Sequence, residues 1–149
     1  MNKKIVISAT ILIGLIIAYW LISPLFINKE ISEPLTDIAP TEEAQIISQG
    51  KFIGLDFHNA EGTVKLLQID KKIYIRFEDD FKVTNGPDLF VHFGKNGDYS
   101  PHANLGELKG NIGAQNYEVP ENINIEDFDE IWVWCRAFSV PFGKAELQK

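Results

Sequence analysis

The stretch VKLLQIDKKIYIRFE, Val64 to Glu78, decides how the chain reads. In its second half Ile73, Ile75 and Phe77 fall on one face and Tyr74, Arg76 and Glu78 on the other. That period of two belongs to a half-buried strand, not to a helix. The intervening DKK is a turn, and HNAEGT, His58 to Thr63, is a second turn ahead of it. Working outward, the same short apolar runs recur: KFIGLDF from Lys51, LFVHF from Leu89, QNYEV from Gln115, IWVWCRA from Ile131 and KAEL from Lys144. Gly, Asn, Asp and Pro separate them. NIEDFDE, Asn124 to Glu130, reads as a single helical turn with Asn124 as its N-cap. Seven to eight short strands at this spacing predict an all-β domain, an antiparallel β-sandwich or flattened barrel.

The N-terminal part has a different pattern. After Lys3 and Lys4, the run from Ile5 to Ile27 carries no charge. As a helix rising 1.5 Å per residue it is long enough to cross a hydrocarbon core of about 30 Å. A cleaved signal peptide has a shorter apolar core and small residues at its cleavage site, where this chain has Tyr19, Trp20 and Leu21. Those aromatics suit a membrane–water interface. The expected organisation is a cytoplasmic stub over residues 1–4, a transmembrane signal anchor over 5–27, a linker over 28–43 and one extracytoplasmic domain over 44–149. The two lysines hold the N-terminus in the cytoplasm by the positive-inside tendency, giving a single-pass protein of the cell membrane. The linker, NKEISEPLTDIAPTEE, holds two prolines and mixed charge and reads as an extended tether. The domain behind it is large enough, and apolar enough, to bury one core.

From Leu35 onward the chain has 11 basic against 19 acidic residues, a net of −8. Such a surface favours solubility and excludes nucleic acid or anionic headgroups held through bulk charge. The familiar catalytic motifs are missing: no Gly-x-Ser-x-Gly, no His-Glu-x-x-His, no Cys-x-x-Cys and no phosphate loop. The acidic groups at Asp79-Asp80 and Glu126 to Glu130 lack the alternation and glycine of a calcium loop. Whether the chain is an enzyme is left open by its motifs.

The chain has one cysteine, Cys135, in IWVWCRA. Alternation sets Ile131, Val133, Cys135 and Ala137 on one face and Trp132, Trp134, Arg136 and Phe138 on the other. A thiol becomes reactive beside a positive charge or a metal, and its own strand offers Cys135 neither, so a buried packing role competes with a redox role. A free cysteine in an exported domain is exposed to oxidation, which weighs on the redox side. A blue-copper arrangement needs His and Met close after the cysteine, and neither follows Cys135. Other ligand sets drawing on His58 or His92 stay open.

Four blocks in order, HNAEGTVKL from His58, NGPDLFV from Asn85, LGELKGNIGAQNYEVP from Leu105 and WCRAFSVPFGKAEL from Trp134, resemble the DM-thirteen domain. The resemblance covers about Ser48 to Leu147. It implies a β-sandwich domain of predicted electron-transfer function, found in animals beside DOMON and cytochrome b-type modules. It also implies that Cys135 is the redox centre, as a bare thiol or as a ligand to a prosthetic group such as haem; beside it, the residues themselves leave His58 as a candidate second cofactor ligand, and a redox role calls for a redox protein as partner. No metal site is read from the sequence. Gly106, Gly110 and Gly113 in the third block suit a loop that needs positive φ or close backbone approach. The rival expectation is a non-enzymatic binding module for a protein or glycan at the cell surface, using GKNGDYSPHAN, Gly94 to Asn104, as a polar recognition loop.

Overall fold

A computed structural model describes residues 3–23, 27–39 and 43–149. The N-terminal helix α1, Lys3–Ile22, is apolar all round and long enough to cross a membrane. It ends earlier than the apolar run that predicted it, and part of the remainder of that run lies outside the described residues.

Ten strands follow: β1 (Gln45–Gly54), β2 (Ala60–Glu61), β3 (Thr63–Ile69), β4 (Lys72–Phe77), β5 (Lys82–Val83), β6 (Leu89–Lys95), β7 (Asp98–Glu107), β8 (Gln115–Glu118), β9 (Glu130–Cys135) and β10 (Val140–Glu146). Eight form one antiparallel sheet in the order β7-β6-β9-β10-β1-β3-β4-β8, and β2 pairs with β5. β1 joins the two halves, since Gln45 to Lys51 pair with β3 while Phe52 to Gly54 pair with β10. The sheet rolls until its edge strands β7 and β8 approach one another, and the result is a near-barrel. This is the all-β fold that the alternating runs predict.

The core fills by the predicted alternation. Ile75 and Phe77 of β4, Val91 and Phe93 of β6, and Ile131, Val133 and Cys135 of β9 are all buried. Phe52, Phe77 and Phe81 pack edge to face or tilted with ring centroids 4.5 to 5.1 Å apart, a geometry favoured by the ring quadrupole. Asn124 caps the short 3₁₀ turn Ile125–Asp127, its side chain accepting from the Glu126 N–H.

Three local expectations are corrected. Ala137 does not share a buried face with Cys135, because β9 stops at Cys135 and residues 136–139 form an exposed turn into β10. KFIGLDF is a strand only to Gly54; Asp56 and Phe57 turn out of the sheet with φ of 47° and 65°. Gly94 to Asn104 is not a free loop. It closes the β6–β7 hairpin, in which residues 100–103 oppose the single residue Phe93 between the pairs His92↔Asn104 and Gly94↔Tyr99. The surplus residues make a bulge that folds over β6.

Residues 27–34 run extended and bond along the domain, and Leu35–Asp37 then form a 3₁₀ turn. The Lys29 N–H donates to Asn111 Oδ1 at 2.7 Å, Ile31 N–H to the Ile112 carbonyl, and Glu33 N–H to the Ala114 carbonyl. The Glu33 carboxylate takes both oxygens to Lys109 Nζ at 2.8 Å and accepts the Asn116 N–H. Burial alone would raise its pKa, but these bonds and the Arg76 charge outweigh that and hold it below the ordinary value. This strap covers Arg76, whose guanidinium donates to the Glu33 carbonyl and to Asn116, so a residue predicted on a solvent face is buried. Gly113 shows why glycine stands there: its φ is +91°, and a Cβ would collide with the Ile31 carbonyl.

Candidate functional site

β9 carries the candidate chemistry on two faces. On the core side, Cys135 has no exposed surface and pairs with Leu89 of β6 and Val140 of β10. The charged groups near its strand are engaged elsewhere. Arg136 turns outward into a two-pronged pair with Asp88, at 2.9 and 3.1 Å, with its guanidinium 4.4 Å from the Phe90 ring centroid. Glu130, at the other end of β9, is buried, and its carboxylate accepts from Lys144 Nζ at 2.6 Å, Trp132 Nε1 at 3.0 Å and the Gly97 N–H. Burial pushes that carboxyl up, but the three donors win and its pKa lies below the ordinary range. Lys144 is held above its ordinary range, chiefly by the same bond.

The structure does not bond His58 to Cys135. The imidazole of His58 stacks on Phe142 at 3.6 Å, and its Nδ1–H donates to the Leu55 carbonyl at 3.1 Å. A haem iron needs an open approach to its axial ligand and a slot for the macrocycle. A thiol with no exposed surface, held in the core between the neighbouring strands at Leu89 and Val140, does not fit that group. Among the described residues no three His, Cys, Asp or Glu side chains come together as a metal site.

On the outer side of the same strand lies an aromatic cluster that sequence reasoning assembled only in part. Trp134 stacks on Tyr99 with ring centroids 3.9 Å apart and planes 17° from parallel. Tyr99 meets the edge of His92 at 5.2 Å, and Phe90 lies 6.5 Å from His92 on the other side. The β7 bulge brings these rings together. It lies over His92, whose Nδ1–H donates to the Ser100 carbonyl at 3.0 Å, and it seats Tyr99 against Trp134. Burial lowers the His92 pKa, and the Ser100 bond only partly opposes it, so the site favours the neutral imidazole; with Nδ1–H on the Ser100 carbonyl, that form leaves Nε2 as an acceptor. Alternation placed Trp134 outside in the sequence, but Tyr99 read as part of a polar loop. Only the extra residues between two strand-like runs hinted at a bulge.

Comparison with known proteins gives one positive result. No curated protein and no solved structure matches the chain. A family model described as "Electron transfer DM13" matches residues 51–147, which takes in the last four residues of β1, all of β2 to β10, and Cys135 itself. With about two thirds of its length matched by that model, the chain belongs to the electron-transfer DM13 domain family.

Proposed function

We propose that the chain is a membrane-anchored, extracytoplasmic electron-transfer domain whose redox chemistry is centred on β9, with Cys135 on its core side and the Trp134–Tyr99 stack on its outer side. The family supports the class of reaction. An apolar helix ahead of the domain supports the anchor, and the lysines before it support the orientation. The observation that carries the reading is the alternation of β9: a sealed thiol backs onto a half-exposed tryptophan stacked at 3.9 Å on a half-exposed tyrosine. Indole and phenol, like the thiol, are side chains open to one-electron oxidation, and here they lie between the thiol's strand and the surface that a redox partner protein would touch. Haem is given no part in the proposal.

Voltammetry of the full chain in supported bilayers tests it. The expected result is a redox wave that Cys135→Ser abolishes and that Trp134→Phe slows without moving its potential. A chain with no wave, or one whose wave ignores both substitutions, overturns the assignment to β9.

A further inference from the structure

The two ends of the barrel differ in chemistry. One end is built from the Asp70–Lys71 turn, the Asn96–Gly97 turn and the segment around Glu121 and Asn122, all exposed and polar. The other end gathers three loops, residues 55–59, 84–88 and 136–139. Thr84 N–H donates to the Asn59 carbonyl and the Asn59 N–H to Thr84 Oγ1, which ties the first loop to the second. Arg136 N–H donates to the Asp88 carbonyl, which ties the second to the third. At this end Phe57 is 110% exposed and Phe138 67% exposed. The backbone works against its own preferences to present them. Asp56 and Phe57 both take positive φ, as does Ser139 beside Phe138, a conformation that β-carbon-bearing residues avoid.

The same end is where α1 arrives. The Ile27 N–H donates to the Ser23 carbonyl, and the Ile27 carbonyl accepts from Asn85 Nδ2 at 3.0 Å, within the 84–88 loop. Ile27 lies four positions after Ser23, so even a fully extended chain would keep it within about 14 Å of Ser23, next to the helix end. The strap then runs up the barrel away from this end. We propose that the loops bearing Phe57 and Phe138 dip into the outer face of the bilayer that holds α1, seating the domain directly on lipid. This rests on the reading of α1 as a membrane anchor. Aromatic rings suit the headgroup–acyl boundary, where interfacial groups sit roughly 5–10 Å deep. The acidic balance of the domain gives anionic lipid nothing to attract, the Asp88–Arg136 pair is neutral as a unit, and the exposed Asp56 beside Phe57 keeps its carboxylate at headgroup level, so the two rings carry the contact and salt changes it little.

The test places an environment-sensitive fluorescent amino acid at position 57, 138, 71 or 12 of the full chain, reconstituted in phosphatidylcholine vesicles with brominated acyl chains. All four positions are exposed in the protein, so the fold is spared, and Cys135 needs no substitution. Emission at 57 and 138 should be blue-shifted and quenched about twofold or more, as expected of groups at the acyl boundary, and emission at 71 should be unquenched at low and high salt alike. Quenching at 12 with none at 57 and 138 would leave the anchor standing and overturn the seating. No quenching at 12 would remove the anchor and the seating with it.

Discussion

Replacing Cys135 by serine exchanges one atom and tests what holds that position. The side chain has no exposed surface, and its strand neighbours across the sheet are Leu89 and Val140. A serine hydroxyl there loses water and gains no partner, which costs about 1–3 kcal/mol. Alanine leaves a void of one heavy atom, closer to about 1 kcal/mol by the per-methylene transfer value. Packing therefore predicts that Cys135→Ala is more stable than Cys135→Ser, although serine is the nearer match in shape. For a domain of about 100 residues each kcal/mol moves Tm by roughly 4–8 °C, so the serine variant should melt about 5–20 °C below the parent. Thermal unfolding followed by near-ultraviolet circular dichroism reads the order. Thiol labelling of the parent supplies the second measurement: if the core opens only by unfolding, at about 5 kcal/mol or more, labelling should be at least roughly 10³-fold slower in the native state than in denaturant. A serine variant as stable as the parent, or native labelling at the speed of a free thiol, would refute the sealed-core argument.

Lys144→Ala should destabilise the domain by about 3 kcal/mol in chemical denaturation, because it strands the buried Glu130 carboxylate, whereas the double variant with Glu130→Gln should recover much of that loss. Stability should fall on the acid side in two stages. His92 has a lowered pKa, so its contribution is complete above the ordinary imidazole value of 6.5 and declines as pH drops below it, and His92→Gln should flatten that first stage in a pH series of melts. Glu33 and Glu130 are held below the ordinary 4.5, so their contributions persist above that value and are lost as pH falls through their lower folded values. Gly113→Ala should displace the strap, and limited trypsin digestion at Lys29 should then accelerate with the β spectrum unchanged.

Much of the fold was legible because the barrel wall is simple alternation. Ile73, Ile75 and Phe77 announced β4, and Ile131, Val133 and Cys135 announced the core side of β9. What failed was whatever depended on a partner distant in sequence. Arg76 obeyed its period and still became buried, because the strap some forty residues earlier lies over it. Gly94 to Asn104 read as a loop because Gly, Asn and Pro interrupt its period, and only pairing with β6 turns those interruptions into a bulge. The site was legible in half. Cys135 and the outward tryptophans followed from strand register, whereas the Tyr99 stack and the seating of His58 on Phe142 are products of the barrel's closure.

The division of β1 between two partners has a consequence for how the chain comes into being. Six of its first seven residues pair with β3, a neighbour made soon afterwards, but Phe52 to Gly54 must wait for Gly143 to Ala145 of β10, some ninety positions later. A chain synthesised from its N-terminus can therefore build the β1–β3–β4 meander early, yet it carries an open seam until nearly the last residue has been added. Such long-range pairings fold slowly and leave strand edges exposed meanwhile. The final strand acts as a latch, and a chain stopped short of Val140 would present two unpaired edges, those of β1 and β9, to whatever strand it met first.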